Sequence, residues 1–137
     1  MDLDECFKKG LIKKTMIDKE LIKSLIEMSR IKETAVKTAN IDEITISAYV
    51  SLAYDSLREI LEALCILKGH KVLAHICIGE FLKDVLENFD YAEFDRLRWI
   101  RNSINYYGEK IEFEQGKEIV AKIFSMKKKI LETHLRV

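Results

Sequence analysis

The stretch ISAYVSLAYDSLREILEALCIL, residues 46–67, decides the fold. Within it Ile46, Tyr49, Val50, Ala53, Leu57, Ile60, Leu61, Leu64 and Leu67 recur at helical spacing and cover a face wider than a single stripe. A helix that is apolar over so much of its circumference belongs at the centre of a bundle, where several neighbours cover it. Gly69 follows at once, and glycine accepts the left-handed conformation that closes a helix.

Reading outward from this helix, the pattern repeats in both directions. Upstream, Asn40-Ile41-Asp42-Glu43 breaks the periodicity with cap-forming residues. An earlier helix begins near Asp18, an N-cap ahead of Leu21, Leu25 and Met28. A short segment around Asp4–Leu11 precedes that. Downstream, Ile78, Leu82, Val85 and Phe89 mark a third helix, and Asn88–Asp90 a polar break. A fourth covers about Tyr91 to Tyr107 and stops at Gly108. The last starts near Glu114 and turns Ile119, Ile123, Ile130 and Leu131 inward. Only Lys110–Phe113 has the look of a strand. The expected fold is all-α: an antiparallel up-down bundle of four long helices with a short extra helix at the N-terminus, the chain 1–137 forming a single unit.

Composition agrees with helices and excludes several classes. The chain has 137 residues and no proline, which suits long uninterrupted helices. Its 23 basic and 23 acidic residues cancel, so any site for a polyanion has to be local rather than a global field. The run Lys127-Lys128-Lys129 reads first as a solvated helix face, with nucleic-acid contact as the alternative. The longest apolar stretches, Leu61–Leu67 and Val72–Ile78, fall far short of the ~20 residues that cross a bilayer, so no membrane association is expected. The acidic start at Met1-Asp2-Leu3-Asp4-Glu5 lacks the pattern of a secretory signal. Cys6, Cys65 and Cys77 are odd in number and read as reduced thiols in a cytoplasmic setting. Cys65, His70, His75 and Cys77 do not have the spacing of close metal-ligand pairs, so neither metal nor cofactor is expected.

The fourth helix carries the specific signal. At ~100° per residue, Leu97, Ile104 and Tyr107 fall near Ile100 and form an inward stripe. Trp99, Asn102, Ser103 and Tyr106 collect on a different side, where a monomer would place charges, and Arg98, Arg101 and Asn105 lie on the flank between. Two apolar faces with arginines at their seam point to a homodimer in contact through Trp99, Ser103 and Tyr106. The plainer alternative leaves Trp99 covering the bundle's edge and Tyr106 exposed.

In Arg101-Asn102-Ser103-Ile104-Asn105-Tyr106-Tyr107-Gly108, together with Tyr54-Asp55-Ser56-Leu57-Arg58-Glu59 and the Leu67-Lys68-Gly69-His70 break, the chain resembles the HEPN family of small helical bundles. The likeness spans most of the chain. It implies a homodimer. It further implies a metal-independent ribonuclease or a relative of one, with a nucleotidyltransferase (MNT-type) antitoxin as a partner. The family's signature is an arginine, often followed directly by asparagine, and then a histidine after four to six residues. Arg101 and Asn102 match its opening. Tyr106 stands at the histidine's place, and no histidine occurs between His75 and His134.

That exchange has a chemical cost. RNA cleavage through the ribose 2′-hydroxyl needs a base near pKa 7 and a cation on the phosphate. An unperturbed phenol, pKa about 10, is only about one part in a thousand ionised at pH 7. In the reading the resemblance implies, Arg101, Asn102 and Tyr106 are the catalytic candidates, and Arg98, Arg101 and Asn105 hold RNA or nucleotide phosphate with turnover weak or lost. Straight-helix geometry separates Arg101 from Tyr106 by ~140°, so they meet only if the helix loosens or two subunits share the pocket. The alternatives left open are Arg101 tied to an internal carboxylate and a non-catalytic homodimeric interaction or scaffold protein with no ligand site.

Overall fold

The computed structural model describes residues 1–135. They form six helices and one small antiparallel ladder: α1 (Leu3–Lys8), β1 (Ile12–Lys14), α2 (Lys19–Thr38), α3 (Ile46–Leu67), β2 (His70–Val72), α4 (His75–Val85), α5 (Tyr91–Tyr107) and α6 (Phe113–His134). The chain is mostly helical, as its periodicity requires. Helix starts follow the acidic caps: Asp18 accepts from the Leu21 N–H and Asp90 from the Glu93 N–H, which satisfies donors that an α-helix leaves open. Gly69 and Gly108 close α3 and α5 with φ of +80° and +66°.

The central helix buries Val50, Ala53, Tyr54, Leu57, Ile60, Leu61, Leu64 and Cys65 almost completely. It packs against α2, α4, α5 and α6. At the far end of α3, Gly116 of α6 sits so close that a Cβ there would collide with the Ile46 Cγ1, so this crossing depends on the missing side chain. α5 runs antiparallel along α3, Arg101 lying opposite Asp55 and Asn105 opposite Ser51.

Several expectations need correction. Residues 110–113 form no strand; the ladder instead pairs Ile12 with Val72 and Lys14 with His70. Leu21, Met28, Leu67 and Val85 are exposed rather than inward, and α2 buries Ile22, Ser29 and Val36 instead. Phe89 lies beyond α4, although it still packs on the core.

Cys6 and Cys77 are not separate thiols. α1 packs on α4 and brings their Cα atoms to 5.9 Å, within bridging range, and the two are joined in a disulfide. Cys65 stays a buried thiol, its pKa pushed up to about 12 by burial.

Lys127 does not belong to a solvated face: it is 2% exposed. Its ammonium donates to the Ser29 carbonyl at 3.0 Å and pairs with Glu33 at 2.8 Å. No helix among the described residues is long and apolar enough to cross a membrane.

Candidate functional site

α5 divides its polar residues between two surroundings. On the side facing α3, Arg101 is 14% exposed in its side chain and lies 3.5 Å from Asp55, with its guanidinium 5.6 Å from the centre of the Tyr54 ring. Asn105 accepts a hydrogen bond from the Ser51 hydroxyl at 3.0 Å. Arg98 is held by Asp95 at 2.8 Å and also lies near the Trp99 ring.

On the outer side, Trp99 and Tyr106 are 57% and 70% exposed. Asn102 makes no side-chain hydrogen bond to a described residue. The Ser103 hydroxyl donates to its own helix at the Trp99 carbonyl. Arg101 and Tyr106 therefore do not converge within the chain. Tyr107 is not part of the inward stripe: Leu97 is buried and Ile100 and Ile104 pack on the core, but Tyr107 is 73% exposed. The helix ends there, and Gly108 turns the chain away.

The arginines meet groups from two other helices. Tyr54, Asp55 and Arg58 come from α3 and His75 from the first residue of α4. The Tyr54 ring centre is 6.0 Å from that of the imidazole. Arg58 pairs with Glu62 at 2.8 Å and approaches Asp55 at 3.7 Å. Pairing here is incomplete. The Tyr54 hydroxyl, Asp55 Oδ1, Arg58 Nε and Arg101 Nε are all buried without a hydrogen-bond partner. Asp55 lies within ion-pair reach of two guanidiniums yet forms a hydrogen bond with neither. Buried polar atoms left unpaired cost free energy, so a cluster of four is exceptional.

Electrostatics follow from burial and these three cations. Burial raises the Tyr54 phenol well above its ordinary range, and Arg101, Arg98 and Arg58 oppose that rise. Burial lowers His75 from its ordinary 6.5 to about 4, and Arg58 and Arg101 push it the same way while Asp55 opposes them. The imidazole is therefore uncharged at neutral pH.

Sequence reading found the arginines and missed His75. A signal existed in the Tyr54–Arg58 segment, but nothing in the sequence brings His75 to it across an intervening turn. Among the described residues no cluster of three or more His, Cys, Asp or Glu side chains is placed to hold a metal. Two surface grooves among the described residues lie elsewhere, one between α6 and the turn before α5 and the other between α2 and α6. No family model, curated protein or solved structure matches the chain.

Proposed function

We propose that this chain is a HEPN-like protein, a four-helix up-down bundle with a short N-terminal helix, that associates as a homodimer and binds RNA or nucleotide phosphate at Arg101. The observation that carries this reading is the convergence of three guanidiniums, those of Arg58, Arg98 and Arg101, on buried polar atoms without hydrogen-bond partners. Guanidinium suits phosphate geometry, and Arg101 keeps 14% of its side chain exposed. Arg101 is the least committed of the three arginines. Its 3.5 Å contact with Asp55 is longer than the 2.8 Å pairs of Arg58 and Arg98, so an entering phosphate displaces Asp55 more readily than Glu62 or Asp95.

In this reading a nucleotidyltransferase is the partner protein. The setting in this reading is the cytoplasm, against which the Cys6–Cys77 bridge counts, because disulfides are rare in that compartment. Anisotropy of a labelled single-stranded RNA measures the binding. Arg101→Ala is expected to weaken it about 10- to 100-fold, the loss of one charge-assisted contact of roughly 1.5–3 kcal/mol, and to lower the salt slope by about 1. Equal affinity in the two proteins would remove the assignment.

A second reading is favoured by a different observation. Trp99 at the middle of α5 and Tyr106 and Tyr107 at its end are all exposed, and large aromatics on a surface are characteristic of protein contacts. In this reading the chain is a non-catalytic interaction protein docking through that face. Trp99→Ala should then convert dimer to monomer in sedimentation without unfolding it. A parent protein that sediments as a monomer at high concentration counts against the dimer in both readings.

A further inference from the structure

We infer that the outward face of the β1–β2 ladder docks on an anionic phospholipid surface, with its lysines against headgroup phosphates and its exposed aliphatic side chains inserted between them. The contact is independent of the phosphate reading at Arg101. It begins with strand alternation, which sends successive side chains to opposite faces. Ile12 and Val72 are paired and buried beneath the ladder, so Lys13 and Lys71, the next pair in register, stand opposite each other on the outside. Like charges directly opposite on neighbouring strands repel, and neither lysine forms an ion pair with a described residue. Lys9, Lys14 and Lys68 flank the two strands, are exposed, and are equally unpaired. An anion beside this face relieves the repulsion.

The charge here is not cancelled as that of the whole chain is. Among residues 1–20, Asp2 and Asp18 cap α1 and α2, Asp4 holds Lys8 at 2.8 Å and Glu20 approaches Lys23, which leaves Glu5 as the acid with no such role. Apolar side chains stand in the same place. Leu73 extends the ladder through its N–H to the Leu11 carbonyl at 2.8 Å. It lies two residues from Lys71, so it shares that lysine's side, and it is half-exposed. Met16 and Ile17 follow directly on the other end of the ladder, Met16 being 87% exposed. Phe7, also exposed, packs edge-on against His70 of β2.

The chemistry of the face selects its occupant. Residues 7–17 and 67–73 contain no arginine, the side chain suited to bidentate reading of bases, and their cations are lysines, point charges that accept any phosphate. Apart from Phe7 the exposed apolar groups are aliphatic or thioether, so the row of aromatic platforms on which nucleic-acid bases stack is missing. Lysines interleaved with protruding aliphatic groups fit an anionic headgroup layer, where charge attracts and apolar tips enter the acyl boundary. The apolar stretches are too short to span a bilayer, but lying on its surface needs no span, and in this the contact departs from the sequence expectation of no membrane association. The platform is also held before it binds. Gly10, at φ +71°, turns α1 into the first strand, α1 is bridged to α4 through Cys6 and Cys77, and β2 packs on α3. Both strands are thus anchored, and little ordering is required on contact.

The test is co-sedimentation of the full chain with vesicles of phosphatidylcholine alone and of phosphatidylcholine with about 30% phosphatidylserine. Binding to the anionic vesicles only is expected, and it should fall steeply as added salt screens the lysines. Lys13→Gln combined with Lys71→Gln should weaken it roughly 25-fold, at about fivefold per lysine near such a surface. Met16→Ser, which keeps every charge, should weaken it about tenfold. Thermal melting of the double lysine variant, expected no lower than that of the parent because a like-charge pair is relieved, ties the loss to the surface and not to the fold. A parent that ignores anionic vesicles or binds neutral ones equally well overturns the inference. So does a double lysine variant or a Met16→Ser variant that binds as tightly as the parent. A labelled single-stranded RNA whose affinity falls in the double lysine variant, while vesicles are ignored, overturns it in favour of a nucleic-acid surface.

Discussion

Replacing Cys6 and Cys77 together by alanine is expected to lower the unfolding free energy by about 4 kcal/mol and the midpoint of thermal unfolding by roughly 10–15 °C. The size follows from the 71-residue separation of the two cysteines. Cross-linking so distant a pair removes a large share of the unfolded chain's freedom, and the loss grows with the logarithm of the loop. The enclosed segment holds β1, α2, α3 and β2, so the bridge ties the short first helix to α4, the helix that follows the central one. Both residues are completely buried, and alanine leaves only a small cavity in their place. Cys65 does not complicate the comparison, because its thiol is held protonated by burial and is a poor exchange partner. Calorimetry on the parent and the double variant checks the value. A difference below about 1 kcal/mol would mean that the two sulfurs are unlinked in solution.

What the sequence disclosed follows from the range of the interactions concerned. Helix starts at Asp18 and Asp90 and stops at Gly69 and Gly108 depend on one residue and its immediate neighbours, so they could be read directly. The breadth of the apolar face on α3 likewise foretold its central position. The ladder of Ile12–Lys14 with Val72–His70 could not be read, because three residues are too few for alternation to register. The disulfide joins positions whose proximity is a product of the whole fold. Tyr107 failed for a different reason. Its angle is inward, but it is the last residue of α5 and the helix has run past its neighbours there. At the site, Arg98, Arg101 and Asn105 were identified as one flank of α5 and do share the side toward α3. Their partners Tyr54, Asp55 and His75 required the tertiary structure.

The second large effect lies in a polar thread through the core, and here the sequence did carry a signal that composition obscured. Lys127 falls four residues after Ile123 and three before Ile130, on the buried face of α6, although its neighbours Lys128 and Lys129 are exposed. Its ammonium reaches Glu33 and the Ser29 carbonyl on α2, and the Ser29 hydroxyl donates in turn to the Ser56 carbonyl of α3 at 2.6 Å. Three helices are thus joined by one hydrogen-bonded path. Burial lowers the Lys127 pKa, with Glu33 acting in the opposite direction. Lys127→Ala removes the four-carbon stem from the core and leaves the Ser29 carbonyl without its side-chain donor, and a loss of about 3 kcal/mol is expected from the two together. The figure stays at the lower end for a broken buried pair because Glu33 keeps Lys37 and is 24% exposed. Lys127→Met retains the stem and removes only the charge, so it should cost about half as much. Chemical denaturation of both variants separates the contributions. An alanine variant as stable as the parent would show that α6 is held by its apolar face alone, with the ammonium a passenger.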